Sequence, residues 1–139
     1  MNFSSKDVII KINKANALSI LDSSISIKEP KKIIKKIAKT LNINRIILTN
    51  ADEGIVVFDN GIIIEMPATK HIKIDPKGIG DVLVAAMTFS LLSNNDFIDS
   101  CKLGNIATSV AISRSSPYTI SKKELLDAKN EYEQWLEQK

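Results

Sequence analysis

Residues Gly80 to Leu92 read GDVLVAAMTFSLL, and Asp81 is the single charge among them. The run is long enough for a helix and contains no breaker after its first residue. Such a helix is apolar almost all round, so it must be buried on most sides. The fold therefore has to place apolar surface against more than one side of it. Its start carries the opposite character. Gly78 and Gly80 stand beside Asp81, inside the stretch DPKGIGDVLVAAM that runs from Asp75 to Met87.

The rest of the composition is ordinary. The 139 residues are 44% hydrophobic and 25% charged, with a net charge of +3, which suits one soluble globular domain over 1–139. Aromatics are only 5%, too few for stacking platforms on single-stranded nucleic acid. The longest apolar run is about a dozen residues, short of a bilayer span. The opening MNFSSKD lacks a signal-peptide apolar core. One cysteine, Cys101, excludes an intramolecular disulfide and a cysteine metal cluster. The expectation is a cytoplasmic protein with neither a nucleic-acid nor a membrane partner.

Before the apolar helix the pattern alternates. Val8 to Ile12 reads as a short buried strand, and Asn13 to Leu21 as a turn or two of helix. Asp22 to Ser26 is loop-like. Glu29-Pro30 opens a helix with proline in its first turn. Ile33, Ile34, Ile37, Ala38 and Leu41 form its inner face, and five lysines cover the rest. Arg45 to Thr49 (RIILT) is a continuous β-branched strand. Ile55 to Phe58 and Ile62 to Glu65 flank Asp59-Asn60-Gly61, a turn that tolerates positive φ. Thr69 to Ile74 adds a possible edge strand. Phe97 to Ser113 forms a second helix, with Ile98, Cys101, Leu103, Ile106, Val110 and Ala111 inward, and Ser115-Ser116-Pro117 breaks it. Ser121 and Glu124 predict a capping box for a last helix over Lys122 to Glu137. The class is α/β, with a small, mostly parallel sheet of about five strands, a β-hairpin and flanking helices.

The glycines before the apolar helix carry the chemistry. A helix start holds about half a positive charge and free N–H groups. Glycine lets a phosphate approach that backbone. The N–H groups of Gly78, Ile79, Gly80 and Asp81 are candidate donors, and an acid in the first turn can take a proton from an attacking hydroxyl. By spacing alone, a plain capping turn explains the same residues. No Gly-Lys-Ser/Thr follows, so this is not a Walker A loop. The third glycine of a dinucleotide fingerprint is missing too.

Asp75-Pro76-Lys77-Gly78-Ile79-Gly80-Asp81 resembles the D-T-x-G-A-G-D signature of the ribokinase-like (PfkB) carbohydrate kinases. Thr49-Asn50-Ala51-Asp52-Glu53-Gly54 is similar to that family's T-x-G-x-x-G nucleotide turn, and the hairpin after it fits. Asn13-Lys14-Ala15-Asn16 resembles its N-x-x-E segment. Gly104-Asn105-Ile106-Ala107 resembles its A-N-A-A helix. The closing YTISKKEL from Tyr118 resembles the branch that phosphorylates heptose 7-phosphate. The resemblance covers essentially the whole chain but only the nucleotide-binding C-terminal half of the family's fold. The other half normally supplies most of the sugar pocket and the lid.

That resemblance implies ATP-dependent phosphoryl transfer to a sugar or sugar-phosphate hydroxyl. Asp81 would be the base, and Gly78, Ile79 and Gly80 the anion hole. Thr49, Ala51 and Gly54 would line the nucleotide phosphates and ribose, Asn13 the γ-phosphate, and Asn105 the adenine. Mg²⁺ would bridge the phosphates. Asn16 stands where the glutamate is expected, so it could help hold the metal only indirectly, through water. Ala51 and Ile79 replace smaller residues. Pro76 and Lys77 count against a monovalent-cation loop. A second reading is an inactive truncated remnant that binds nucleotide, self-associates or pairs with a separate chain. Asn13 and Asn16 also read as caps, Thr49 as a strand residue, His71 as a lone surface histidine, Cys101 as a small buried hydrophobe, and Tyr132 and Trp135 as anchors of the last helix.

Overall fold

The computed structural model describes residues 8–21, 28–50, 53–68, 78–113 and 119–138. Two compact units divide the chain, Met1–Pro67 and Ala68–Lys139. The loop at Asp22 to Ser26, the strand expected over Thr69 to Ile74, the break at Ser115 to Pro117, and Ala51, His71, Asp75, Pro76 and Lys77 lie outside the described residues.

The first unit runs β1 (Ile9–Asn13), α1 (Lys14–Ile20), α2 (Pro30–Leu41), β2 (Arg45–Thr49), β3 (Gly54–Asp59) and β4 (Ile62–Pro67). The strands lie in the order β1-β2-β3-β4. The helical spacing in α2 works as read: Ile33, Ile34 and Ile37 are fully buried, and Ala38 nearly so. They pack on Ile12, Ile46, Leu48 and Val56 from one face of the sheet. Fully burying each such isoleucine stabilises the fold by about 1.5–3 kcal/mol. Leu41, expected on the same face, is 36% exposed because it lies in the last turn before Asn42 closes the helix in the left-handed region. Lys31 pairs with Glu65 and Lys32 with Glu29 on the water side.

The sheet is mixed, not mostly parallel. β1 and β2 are parallel, while β2–β3 and β3–β4 are antiparallel. Connection length decides this. A parallel pair needs a long crossover, which α1 and α2 supply, whereas short turns can only reverse the chain. Four strands are described, and the fifth expected, over Thr69 to Ile74, lies outside the described residues. Only Ile12 of β1 is buried, because β1 stands at the outside of that order. Asn60 (φ 48°) and Gly61 (φ 96°) are both left-handed, as the hairpin turn requires.

The second unit holds α3 (Ile79–Leu92), α4 (Phe97–Ile112) and α5 (Lys122–Glu137). The capping box at α5 is formed: Glu124 N–H donates to Ser121 Oγ, and Ser121 N–H to the Glu124 carboxylate. Burial divides differently from the sequence pattern. In α4, Ser100, Cys101 and every residue from Gly104 to Val110 are buried, whereas in α3 only Leu83, Met87 and Ser90 are. Small residues explain α4. A Cβ on Gly104 would stand 3.0 Å from the Leu83 carbonyl oxygen and 3.5 Å from Met87 Cβ, so the two helices approach almost to backbone contact. Ser100 Oγ donates to Ser90 Oγ across the same pair. The remaining sides of α3 are not covered: Phe89 is 68% exposed and Leu92 80%.

Candidate functional site

The carboxyl ends of β1 and β2 meet at one edge of the first unit. Asn13 and Thr49, the last residues of the two parallel strands, are register partners. Crevices outside such strand ends are where α/β sheets bind ligands. Thr49 pairs on its other side with Ile55, which brings Gly54 to the same edge. The turn between is tightly tied. Asn50 N–H donates to Gly54 O, Glu53 N–H donates to Asn50 O, and the Asn50 amide donates to the Glu53 carboxylate. Gly54 has φ 105°, in the region that favours glycine. Three of the expected nucleotide residues, Asn13, Thr49 and Gly54, are thus neighbours. Asn50 and Glu53, which organise the turn, were not singled out by motif. Their signal was an asparagine followed three residues later by an acid.

Asn13 also has a structural role. Its Oδ1 accepts from Asn16 N–H at 2.8 Å and caps α1. Asn16 is exposed, and its side chain is neutral. Among the described residues no group of three or more acidic, histidine or cysteine side chains could hold a metal ion.

In the second unit, α3 begins without a side-chain cap. Gly78 is the N-cap, at φ 77°. Its carbonyl accepts from both Asp81 N–H and Val82 N–H at 3.0 Å. The four-donor reading is corrected here: Asp81 N–H is engaged within the helix. Gly78, Ile79 and Gly80 precede that bond, which is where a helix leaves donors for an anion. Nothing lies within 4 Å of where a Gly78 Cβ would be, so the approach is open and the glycine is needed for its φ. Asp81 is exposed in the first turn.

Asn105 is elsewhere in that unit, 1% exposed on α4. Its side chain hydrogen-bonds the Tyr132 hydroxyl of α5. Burial pushes the Tyr132 phenol above its ordinary 10.0, and the Asn105 bond offsets part of that. Tyr132 stacks at a tilt on Trp135 of the same helix, with centroids 5.9 Å apart, and the buried Tyr132 ring with its Asn105 bond ties the last helix to α4. A folded-state pKa above the unfolded one contributes stability that is whole below pH 10.0 and is lost as pH rises through the raised value. Melting curves between about pH 8 and about pH 11 are expected to show this alkaline loss, and Tyr132→Phe to flatten it. A cavity of about 280 Å³ in this unit lies between α3, α4 and α5, lined by Ser90, Asp99, Lys129 and the Lys102–Glu133 ion pair. It contains none of the expected site residues.

Residues 4–124 match the model of the pfkB family of carbohydrate kinases. The chain belongs to that family. It is similar to the bifunctional protein HldE of Campylobacter jejuni (serotype O:2), 30% identical over 114 residues, and to that of Campylobacter concisus, 29% over 113 residues. These alignments cover 81% of this chain but only 24% and 23% of the relatives. Among solved structures, phosphofructokinase-2 of Escherichia coli superposes with a TM-score of 0.76 at 17% identity, over 92% of this chain and 42% of that one. Arabidopsis thaliana ribokinase, complexed with ribose and ATP, gives 0.75 at 15% identity, over 90% and 42%. The fold is ribokinase-like, and the chain spans well under half of the proteins it matches. Among the described residues no helix is long and apolar enough to cross a membrane.

Proposed function

We propose that this pfkB-family chain is the nucleotide-binding half of a carbohydrate kinase and takes part in ATP-dependent phosphoryl transfer to a sugar or sugar-phosphate hydroxyl. The observation that carries the reading is the start of α3: an uncapped helix N-terminus opened by a left-handed glycine, with an exposed carboxylate in its first turn. In the reaction the acceptor oxygen bonds to the γ-phosphorus, the bond to the bridging oxygen breaks, and ADP leaves. Asp81 takes the hydroxyl proton, and the N–H groups of Gly78, Ile79 and Gly80 stabilise the charge on the transferred group. Thr49, Gly54 and Ala51 hold the nucleotide, with Asn13 at the same strand edge. Asn105 acts through Tyr132, tying α4 to α5. Magnesium, if bound, would supply charge neutralisation on the phosphates. The resemblance of YTISKKEL, from Tyr118, to the heptose 7-phosphate branch favours a heptose-phosphate acceptor, and the reaction is placed in the cytoplasm.

A second reading, a remnant that binds nucleotide without turnover, is favoured by Asn16. An amide there supplies no charge toward a metal. Calorimetric titration with ATP and Mg²⁺ tests both readings. Saturable binding to the wild-type chain is expected, with affinity reduced at least tenfold by Gly78→Val, which strains φ 77° at the anion hole. Absence of heat with the wild-type chain joined to the rest of its fold overturns both.

A further inference from the structure

One side of α3 is built for burial and left in water. Val84 is 39% exposed, Phe89 68% and Leu92 80%, with Ala85 and Thr88 exposed among them. These residues fall at helical spacing and share one side. The opposite side, with Leu83 and Met87, packs on α4 of the same unit. No charge stands between Asp81 and Asp96. A helix that needed to cover only one neighbour would carry charges on its far side, and exposed apolar patches of this kind mark interaction surfaces.

A second copy fits poorly. A stable pair buries roughly 800 Å² on each partner. Phe89 and Leu92 with three small neighbours offer less, so the patch belongs to a larger surface completed by something else. One observation says what. Phosphofructokinase-2 of Escherichia coli matches 92% of this chain with only 42% of its own length, so a ribokinase-like fold contains further polypeptide.

We propose that the Val84–Phe89–Leu92 side of α3 is the docking surface for the part of a ribokinase-like fold that this chain does not span. The occupant is an apolar face of that segment, close-packed over Ala85 and Thr88. The inference rests on family membership and not on turnover.

Thiol protection tests it. Cys101 is fully buried, so an introduced cysteine provides the reactive thiol. Phe89→Cys and Leu92→Cys are made in this chain alone and in a fusion to the part of Campylobacter jejuni HldE outside the matched residues. Ile62→Cys, on exposed β4, is the control. Maleimide labelling at 89 and 92 is expected to slow at least tenfold in the fusion and to be fast in the chain alone, with 62 equally reactive in both and Cys101 unreactive. Equal labelling of 89 and 92 in fusion and chain overturns the proposal. Protection that appears in the chain alone as its concentration rises also overturns it, in favour of a second copy. Nucleotide binding does not enter this readout, so its failure is distinguishable from failure of the kinase reading.

Discussion

Asp81→Asn, in this chain joined to the rest of its fold, is expected to lower ATP-dependent phosphorylation of a sugar phosphate by about 10²–10⁴-fold. The amide keeps the size of the carboxylate and loses its basicity. Asp81 is exposed in the first turn of α3, so the loss does not come from a disturbed core. Removing an acid from a helix N-terminus costs only about 0.3–1 kcal/mol of stability. The effect belongs in kcat, with nucleotide affinity held within about twofold, because the base acts on the proton in the transition state. Steady-state assays of ADP release with and without acceptor check both quantities. An unchanged kcat removes Asp81 from the chemistry, and an equal collapse in ATP affinity moves it to binding.

Ile37→Ala is expected to cost the first unit about 2–5 kcal/mol. Ile37 is fully buried where α2 meets Ile46, Leu48 and Val56. A urea titration followed by far-ultraviolet circular dichroism reads the change as a midpoint lowered by about 1–2 M. Leu41→Ala, at the exposed end of the same helix, is expected to shift the midpoint far less. Equal shifts would mean that the helix does not bury the face its spacing implies.

These two experiments address the parts of the molecule that were legible beforehand, and the reason is local physics. The isoleucine spacing of α2, the RIILT strand, the Asn60-Gly61 turn and the Ser121–Glu124 capping box each signal themselves within a few residues. Strand direction was less legible. It depends on how the chain returns, and the pairing of β3 and β4 follows from turn lengths that the alternation of apolar runs does not show. The burial of α3 was read too generously because apolar content reports a need for partners, not their presence. Within its unit α4 took the interior place, and Gly104, at 3.0 Å from the Leu83 carbonyl by its absent Cβ, is what let it do so. In the candidate site, Gly78 and Gly80 with Asp81 were visible as a motif. The engagement of Asp81 N–H with Gly78 O, the Asn50–Glu53 tie and the commitment of Asn105 to Tyr132 are matters of geometry that spacing leaves open.

The central claim is that the start of α3 binds phosphate through its backbone. Amide NMR of the chain during titration with ATP and Mg²⁺ tests it most directly. The account predicts that the N–H resonances of Gly78, Ile79 and Gly80 shift in a saturable process. Asp81 N–H, already donating to Gly78 O at 3.0 Å, should shift less than those of the three preceding residues. Shifts confined to the Thr49–Gly54 turn, with Gly78 to Gly80 unmoved at saturation, would contradict it.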